Sequence, residues 1–288
     1  MDKFLPSELI INESGSIYHL DLRPEDIAHK IIVVGDQDRV KVVADRFDTI
    51  EHESQKREFS CITGTYKGKR RSVLSTGIGT DNIDIVLNEL DALVNIDLKT
   101  RQEKESKISL EILRIGTCGI LQEDIPVDTF ILSTHAMGID NIGHFYQLKS
   151  DEQTESLLEE IKKEVKLPKE VIPYLTPASK TINQRLQNDQ IASGITVTSS
   201  GFYGPQGRRL RLPLTAPEMN DSLDHFNYNN HRFTNLEMEC SALFALSKAL
   251  GHKASAICLG LANRRKKEFS SNYKAKMDEL IHYVLENF

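Results

Sequence analysis

One arginine in this sequence stands inside an apolar stretch, where an unpaired positive charge is costly. Arg114 occurs in "EILRIGTCGI", at the expected end of a buried strand, and it precedes Gly116, Thr117 and Gly119. The glycines free the backbone for close approach by a ligand, and the threonine adds a hydroxyl group. The pattern therefore predicts either an ion pair with a buried carboxylate or a site for a bound anion.

Two further arginines could serve the same anion. In "GDQDR", Gly35 permits close approach at a strand-to-helix turn, and Arg39 lies in the first turn of the helix, whose N–H groups attract anions. In "REF", Arg57 stands at the start of a strand. Taken singly, a capped helix with a surface arginine and a charge on an edge strand are the simpler explanations.

A glycine-rich loop, "SSGFYGPQGRR", carries groups that could read a planar base. The amide of Gln206 can donate and accept side by side, Arg208 can only donate, and Phe202 offers a ring for stacking. This combination suits a base that presents an N–H beside a carbonyl, as uracil does. The alternative is an irregular surface loop.

Paired carboxylates in "NLEMEC" could hold a sugar. Alternation in an extended backbone would put Glu237 and Glu239 on one side of Met238, where a carboxylate can accept hydrogen bonds from both hydroxyls of a ribose. Acids stabilised by the N-terminus of the following helix are an equally good explanation.

The elements that must position these groups alternate between strands and helices. This order predicts one α/β domain over residues 1–288, with a mixed, mainly parallel sheet whose strand ends hold the ligand. Expected elements are a strand and helix start at 30–40, a hairpin at 58–79, helices at 81–93 and 152–166, a strand and loop at 194–209, a helix ending at Gly251, a last strand at 254–265 and a C-terminal helix from 272. The charged stretch 97–107 is expected to be a solvated connection.

Composition removes several classes of function. The 288 residues carry a formal net charge of −6, which gives no general reason to bind nucleic acid or an anionic membrane. No apolar run approaches the roughly 20 residues that span a bilayer, and the N-terminal residues lack the pattern of a signal peptide. The "GIGTDN" segment lacks the third glycine and the βαβ setting of a dinucleotide site.

Cysteine and histidine usage predicts no metal site. The four cysteines show no zinc or redox spacing, and His135 and His144 are not at a helical metal spacing. We expect buried free thiols in a reducing cytoplasm. The cysteines are Cys61, Cys118, Cys240 and Cys258.

Taken together and in order, these motifs resemble the nucleoside phosphorylase-I family. The resemblance rests on "GDQDR", "REF", "STGIG", "RIGTCG", "GFYGPQGRR", "NLEMEC" and "ANRR", and it spans residues 19–265. It implies a three-layer α/β/α fold around a mixed sheet and dimers grouped into a hexamer. It also implies reversible phosphorolysis of uridine to uracil and ribose 1-phosphate, with inorganic phosphate as co-substrate and no cofactor.

The resemblance also implies a role for each motif residue. Arg114, Glu239, Gln206 and Arg208 would be catalytic, and His19 and Arg57 would be lent across the dimer. The implied phosphate ligands are Gly35, Arg39, Arg57, Arg114 and Thr117. The implied ribose ligands are His19, Thr117, Glu237, Met238 and Glu239. The implied base ligands are Phe202, Gln206, Arg208 and Arg264.

Within this family, the residues after the last strand favour a pyrimidine base. Purine phosphorylases carry an acid there that protonates the base, whereas this chain reads "LANRRKKEF", with Asn263 and Arg264. The alternatives are a purine phosphorylase or a hydrolytic nucleosidase of the same fold, and a non-catalytic nucleoside binder. We expect phosphate to be the anion at Arg114, and Arg114→Ala to impair phosphate use far more than folding.

Overall fold

The computed structural model describes residues 3–288, which fold around one large, mixed sheet. The strands are β1 Lys30–Val34, β2 Thr49–Lys56, β3 Phe59–Tyr66, β4 Lys69–Ser75, β5 Ile96–Asp97, β6 Gln102–Glu103, β7 Glu111–Ile120, β8 Phe130–Gly138, β9 Tyr174–Pro177, β10 Ala192–Thr198, β11 Phe233–Glu237, β12 Lys253–Asn263 and β13 Glu268–Phe269.

Seven α-helices and three short 3-10 helices join these strands within the described residues. The α-helices are α1 Gln37–Ala44, α2 Thr80–Asn95, α3 Glu152–Glu164, α4 Lys180–Leu186, α5 Met219–His225, α6 Cys240–Ala249 and α7 Tyr273–Asn287. The 3-10 helices are Pro24–Asp26, Ile142–Phe145 and Gly204–Gln206.

The sheet closes on itself in its middle. Its order is β13-β12-β8-β10-β11-β7-β1-β4-β3-β2, and an additional pairing of β12 with β7 makes a ring of β12, β8, β10, β11 and β7. The pairings β1–β4, β1–β7, β8–β10, β10–β11 and β7–β12 are parallel, whereas the hairpins β2–β3 and β3–β4 are antiparallel. The pairings β7–β11 and β8–β12 are also antiparallel, so β8, β10 and β11 run opposite to β1, β4, β7 and β12. The carboxyl ends of the latter four strands lie on the same side of the sheet.

Strand β1 shows why the sheet is covered on both faces. Its residues alternate between two separate cores: Ile31 and Val33 pack with α2 and α6, whereas Ile32 and Val34 pack with α1, α4 and α7. A strand buried on both faces reads as a continuous apolar run, as "KIIVV" does. The predicted three-layer α/β/α fold with a mixed sheet is confirmed.

Most of the predicted helices and strands are present, and the differences concern short strands. The helices at 81–93 and 152–166 and the C-terminal helix are confirmed, and the apolar side of α7 is buried as expected. The stretch 97–107 contains a two-stranded ribbon, β5–β6, instead of only a solvated connection. Residues Phe233–Glu237 form a strand, and the helix predicted to end at Gly251 runs from Cys240 to Ala249.

Residues 3–288 also show the state of the cysteines and whether membrane-spanning helices and metal-binding clusters are present. The four cysteines are free and buried. No helix of this part is long and apolar enough to cross a membrane. Among the same residues, no group of three or more His, Cys, Asp or Glu side chains could hold a metal ion.

Candidate active site

A cleft of about 1110 Å³ lies beside the carboxyl ends of β1 and β11 and the N-termini of α1, α2 and α6. Strand β7, which runs antiparallel to β11, lines it with residues between 114 and 119. Ten of the predicted site residues line it: Gly35, Arg39, Arg114, Thr117, Phe202, Gln206, Arg208, Glu237, Met238 and Glu239. The structure therefore brings together residues that are far apart in the sequence.

The guanidinium group of Arg114 folds back over its own strand. A Cβ atom at Gly116 would overlap Arg114 Nη1 and lie 2.9 Å from Cys258 Sγ. The glycine thus makes room for the guanidinium beside β12, and Arg114 is only 6% exposed. This is the local reason for an arginine followed two residues later by glycine.

Buried carboxylates contact Arg114 on one side. Its Nη2 donates to Glu239 Oε2, and its Nε lies 3.7 Å from Glu237 Oε2. Burial lowers the pKa of Arg114, but Glu239 and Glu237 outweigh this effect and hold the pKa well above its ordinary value. The buried carboxylate that the sequence left open as a partner of Arg114 is therefore present, and phosphate at Arg114 stays a prediction.

Two nitrogens of the Arg114 guanidinium group, Nε and Nη1, are buried and lack a hydrogen-bond partner within residues 3–288. Buried donors without partners are costly and rare in native proteins. A phosphate oxygen that reached Nε or Nη1 would supply one of the missing acceptors.

Glu237 caps helix α6. One of its oxygens accepts from Thr198 Oγ1 at 2.5 Å, and the other accepts from the backbone N–H groups of Glu239 and Cys240 at 2.8 and 3.0 Å. Burial raises the pKa of Glu237, and Arg114 opposes that rise. The helix explanation therefore accounts for this side chain. The predicted extended backbone is not observed, because the chain bends at Met238 and Glu239, but both glutamates still lie beside Arg114.

Glu239 connects three elements of the cleft. Its Oε1 accepts from the backbone N–H of Gly79 at 2.7 Å, and its Oε2 accepts from Arg114. Gly79 is the N-cap of α2 and has φ of 97°, a conformation that favours glycine. The carboxylate thus fixes the N-terminus of α2 against β7 and α6.

At the opposite end of the cleft, the loop after β10 folds on itself. The guanidinium carbon of Arg208 lies 3.8 Å from the ring centre of Phe202, and Nη1 donates to the Phe202 carbonyl at 2.6 Å. Nη1 also donates to Gln206 Oε1. Burial, followed by repulsion from Arg264, lowers the pKa of Arg208 to about 10, so this side chain is charged at neutral pH.

Three predicted site residues lie outside the lining of the cleft. Arg57 is exposed in the turn between β2 and β3, and His19 Nδ1 lies 2.7 Å from Glu89 Oε1. Arg264 donates to the carbonyls of Gln206 and Gly207, so in this chain it supports the backbone of the loop. Contacts of His19 and Arg57 with a neighbouring subunit stay a prediction.

The cleft also contains residues that the sequence did not single out as site residues. Glu58, beside the arginine of "REF", lines the cleft together with Asn82 and Phe269. Tyr273 contacts Arg39 from the first turn of α7. No local pattern marks these residues, because they reach the cleft only through the packing of distant elements.

Comparison with known proteins agrees with this architecture. A family model described as the phosphorylase superfamily matches residues 29–286. The uridine phosphorylase of Thermococcus kodakarensis is 28% identical over 275 residues, which cover 93% of this chain and 85% of that protein. A guanosine phosphorylase of Halorubrum lacusprofundi is 26% identical over 242 residues, which cover 83% and 80%.

A solved structure is similar over almost the whole chain. A Trypanosoma brucei nucleoside phosphorylase, whose structure is described as showing uridine phosphorylase activity, has a TM-score of 0.89 and 31% identity. The match covers 97% of this chain and 99% of that one. The fold is that of the phosphorylase superfamily, and this chain belongs to it. More particularly, it is a nucleoside phosphorylase, a pentosyltransferase that acts on nucleosides with phosphate.

Proposed function

We propose that this enzyme cleaves uridine with inorganic phosphate to give uracil and ribose 1-phosphate, as in pyrimidine salvage. The observation that carries the proposal is the base loop, where Phe202, Gln206 and Arg208 lie at one end of the cleft. Arg39 and Arg114 line the same cleft. One cavity thus holds groups suited to a planar base and groups suited to a dianion.

The arginines hold phosphate for attack at the anomeric carbon. Arg114 offers Nε and Nη1, and Arg39 offers guanidinium donors from α1. Gly35 and Thr117 contribute a close backbone approach and a hydroxyl, and a neighbouring subunit supplies Arg57. Holding both reactants in one cleft lowers the barrier by proximity.

The ribose lies between the phosphate and the base. Glu239, Met238 and Thr117 bind it from the lining of the cleft, and Glu237 supports them from the N-terminus of α6. His19 of a neighbouring subunit approaches the 5′-hydroxyl. Neither a metal nor an enzyme nucleophile is required, because phosphate itself attacks the sugar.

The base departs with negative charge, which donors at its edge stabilise as it develops. Gln206 and Arg208 exchange the hydrogen bond between them for bonds to the uracil edge, and the ring of Phe202 stacks on the base. Arg264 holds the backbone carbonyls of this loop while the side chains engage the base.

The last residue of β12, Asn263, supports a pyrimidine base. Asn263 is fully buried, and its Nδ2 donates to the carbonyls of Gln122 and Ile125 at 2.9 Å. Its Oδ1 accepts from the backbone N–H of Lys266. Asn263 is thus committed to the backbone and offers no acid to protonate a purine.

A direct assay tests the proposal. Purified enzyme is incubated with uridine, with and without phosphate, and uracil release is followed by ultraviolet absorbance. Release that depends on phosphate is expected, with inosine and guanosine cleaved more slowly. Cleavage without phosphate would instead indicate a nucleosidase.

A purine nucleoside is the second candidate substrate. The similarity to the guanosine phosphorylase of Halorubrum lacusprofundi favours it. Faster phosphorolysis of guanosine or inosine than of uridine would identify this alternative. Binding of uridine without turnover at high enzyme concentration would identify a non-catalytic nucleoside binder.

We also propose a dimer-based hexamer in the cytoplasm. The proposal rests on the family resemblance and on the positions of His19 and Arg57 outside the lining of the cleft. Sedimentation or light scattering would measure the assembly. Wild-type activity from a dilute monomer would contradict the shared site.

A further inference from the structure

The segment that links β12 to α7 contacts both ends of the cleft. Arg264 binds the carbonyls of the base loop, and Phe269 lines the rim of the cleft. Tyr273, the first residue of α7, receives a hydrogen bond from Arg39 Nη2 at 3.1 Å. Nothing in the sequence pattern gave Tyr273 a role.

Tyr273 is a neutral partner for a cation of the cleft. Within residues 3–288, its hydroxyl is the hydrogen-bond partner of the Arg39 guanidinium, and no carboxylate forms an ion pair with Arg39. Arg46, seven residues further on, instead pairs with Asp278 of α7. The two arginines therefore contact the same helix through partners of different charge.

The charge of the partner matters for anion binding. A carboxylate partner would offset the positive charge of Arg39 and compete with an incoming anion for its N–H donors. A phenol accepts one N–H and orients the guanidinium, and it leaves the positive charge in place. The Arg39–Tyr273 contact thus suits an arginine that must bind phosphate.

The anchor itself is firmly held. Tyr273 packs against the core that contains the buried face of α7, where Met277, Leu280 and Ile281 are buried against the sheet. A long arginine side chain loses rotamer entropy when it is fixed, so an anchored acceptor lowers the cost of binding.

We infer that Tyr273 is a positioning residue, which holds the Arg39 guanidinium in place for inorganic phosphate. The inference rests on the proposed phosphate role of Arg39. Tyr273→Phe is therefore expected to weaken phosphate binding and to raise the KM for phosphate about three- to tenfold, with the KM for nucleoside nearly unchanged.

The helix offers a matched control. Tyr283 also lies on α7, and its hydroxyl donates to the Leu186 carbonyl at 2.7 Å, away from the residues that line the cleft. Tyr283→Phe removes one tyrosine hydroxyl of the same helix and should leave both KM values unchanged. Urea unfolding of both variants checks that neither result reflects global destabilisation.

The test combines phosphate calorimetry with steady-state kinetics. Two results together support the inference. Tyr273→Phe binds phosphate more weakly than wild type, and adding Tyr273→Phe to Arg39→Ala weakens phosphate binding no further. An unchanged dissociation constant for inorganic phosphate, or an equal effect of Tyr283→Phe, overturns it. Loss of the proposed uridine activity is a separate result, because calorimetry with phosphate alone needs no turnover.

Discussion

Substituting Arg114 by alanine removes the guanidinium that faces both Glu237 and Glu239 inside the cleft. The side chains of these three residues are 7%, 1% and 4% exposed, so water cannot replace the lost charge. Breaking a buried ion pair by removing one partner costs about 3–5 kcal/mol. We therefore expect Arg114→Ala to lower the free energy of unfolding by about that amount, in addition to abolishing phosphate-dependent cleavage.

The loss of stability in Arg114→Ala should depend on pH because of Glu237. Burial raises the pKa of Glu237, Arg114 opposes this rise, and the substitution removes the opposition. In the unfolded chain this carboxyl group has a pKa of about 4.3. Because its pKa is higher in the folded protein, ionisation above about pH 4.3 lowers the free energy of unfolding. The difference in stability between wild type and Arg114→Ala should thus be larger at pH 8 than at pH 5.

Urea unfolding at these two pH values measures the effect. Arg232→Ala is the control, because its ion pair with Asp124 is solvent-exposed and should contribute less than about 1 kcal/mol. Adding Glu239→Gln to Arg114→Ala should restore at least about 1 kcal/mol, because it removes an unpaired charge. A loss below 1 kcal/mol in Arg114→Ala, or one that is equal at both pH values, would refute the reasoning.

Three other substitutions, with Gly35→Ala as a control, distinguish the proposed phosphate ligands from the proposed base loop. Gly116→Ala should lower the free energy of unfolding by about 1–3 kcal/mol and impair phosphate use, because the new methyl group overlaps the Arg114 guanidinium. Gly35→Ala is the control for stability, which should be unchanged, because its Cβ would make only an ordinary 3.5 Å contact with the Gly77 carbonyl oxygen. Arg264→Ala should raise the KM for nucleoside and not the KM for phosphate, because it removes the donor that holds the carbonyls of the base loop. Equal changes in the two KM values would contradict a role of Arg264 in supporting that loop. Phe202→Ala, at a side chain that is 50% exposed, should raise the KM for nucleoside with no loss of stability, and an unchanged KM would argue against stacking.

The roles of Arg114 show how local sequence and tertiary structure differ in what they reveal. The sequence identified a costly arginine and two possible partners, and it favoured phosphate over a buried carboxylate. The structure places Glu239 and Glu237 on one side of the guanidinium and leaves Nε and Nη1 without partners. It also changes the expected cost of Arg114→Ala, because the substitution now leaves buried carboxylates unpaired.

The sequence by itself determined the fold class and the motifs that line the cleft. Alternating strands and helices predict the layers, and glycines mark the turns and close approaches, because both depend on local backbone preferences. Only the tertiary structure decided which groups pair with which. The partners Glu239–Gly79 and Arg39–Tyr273 are 160 and 234 residues apart, and their contacts depend on sheet register and helix packing, which no local pattern encodes.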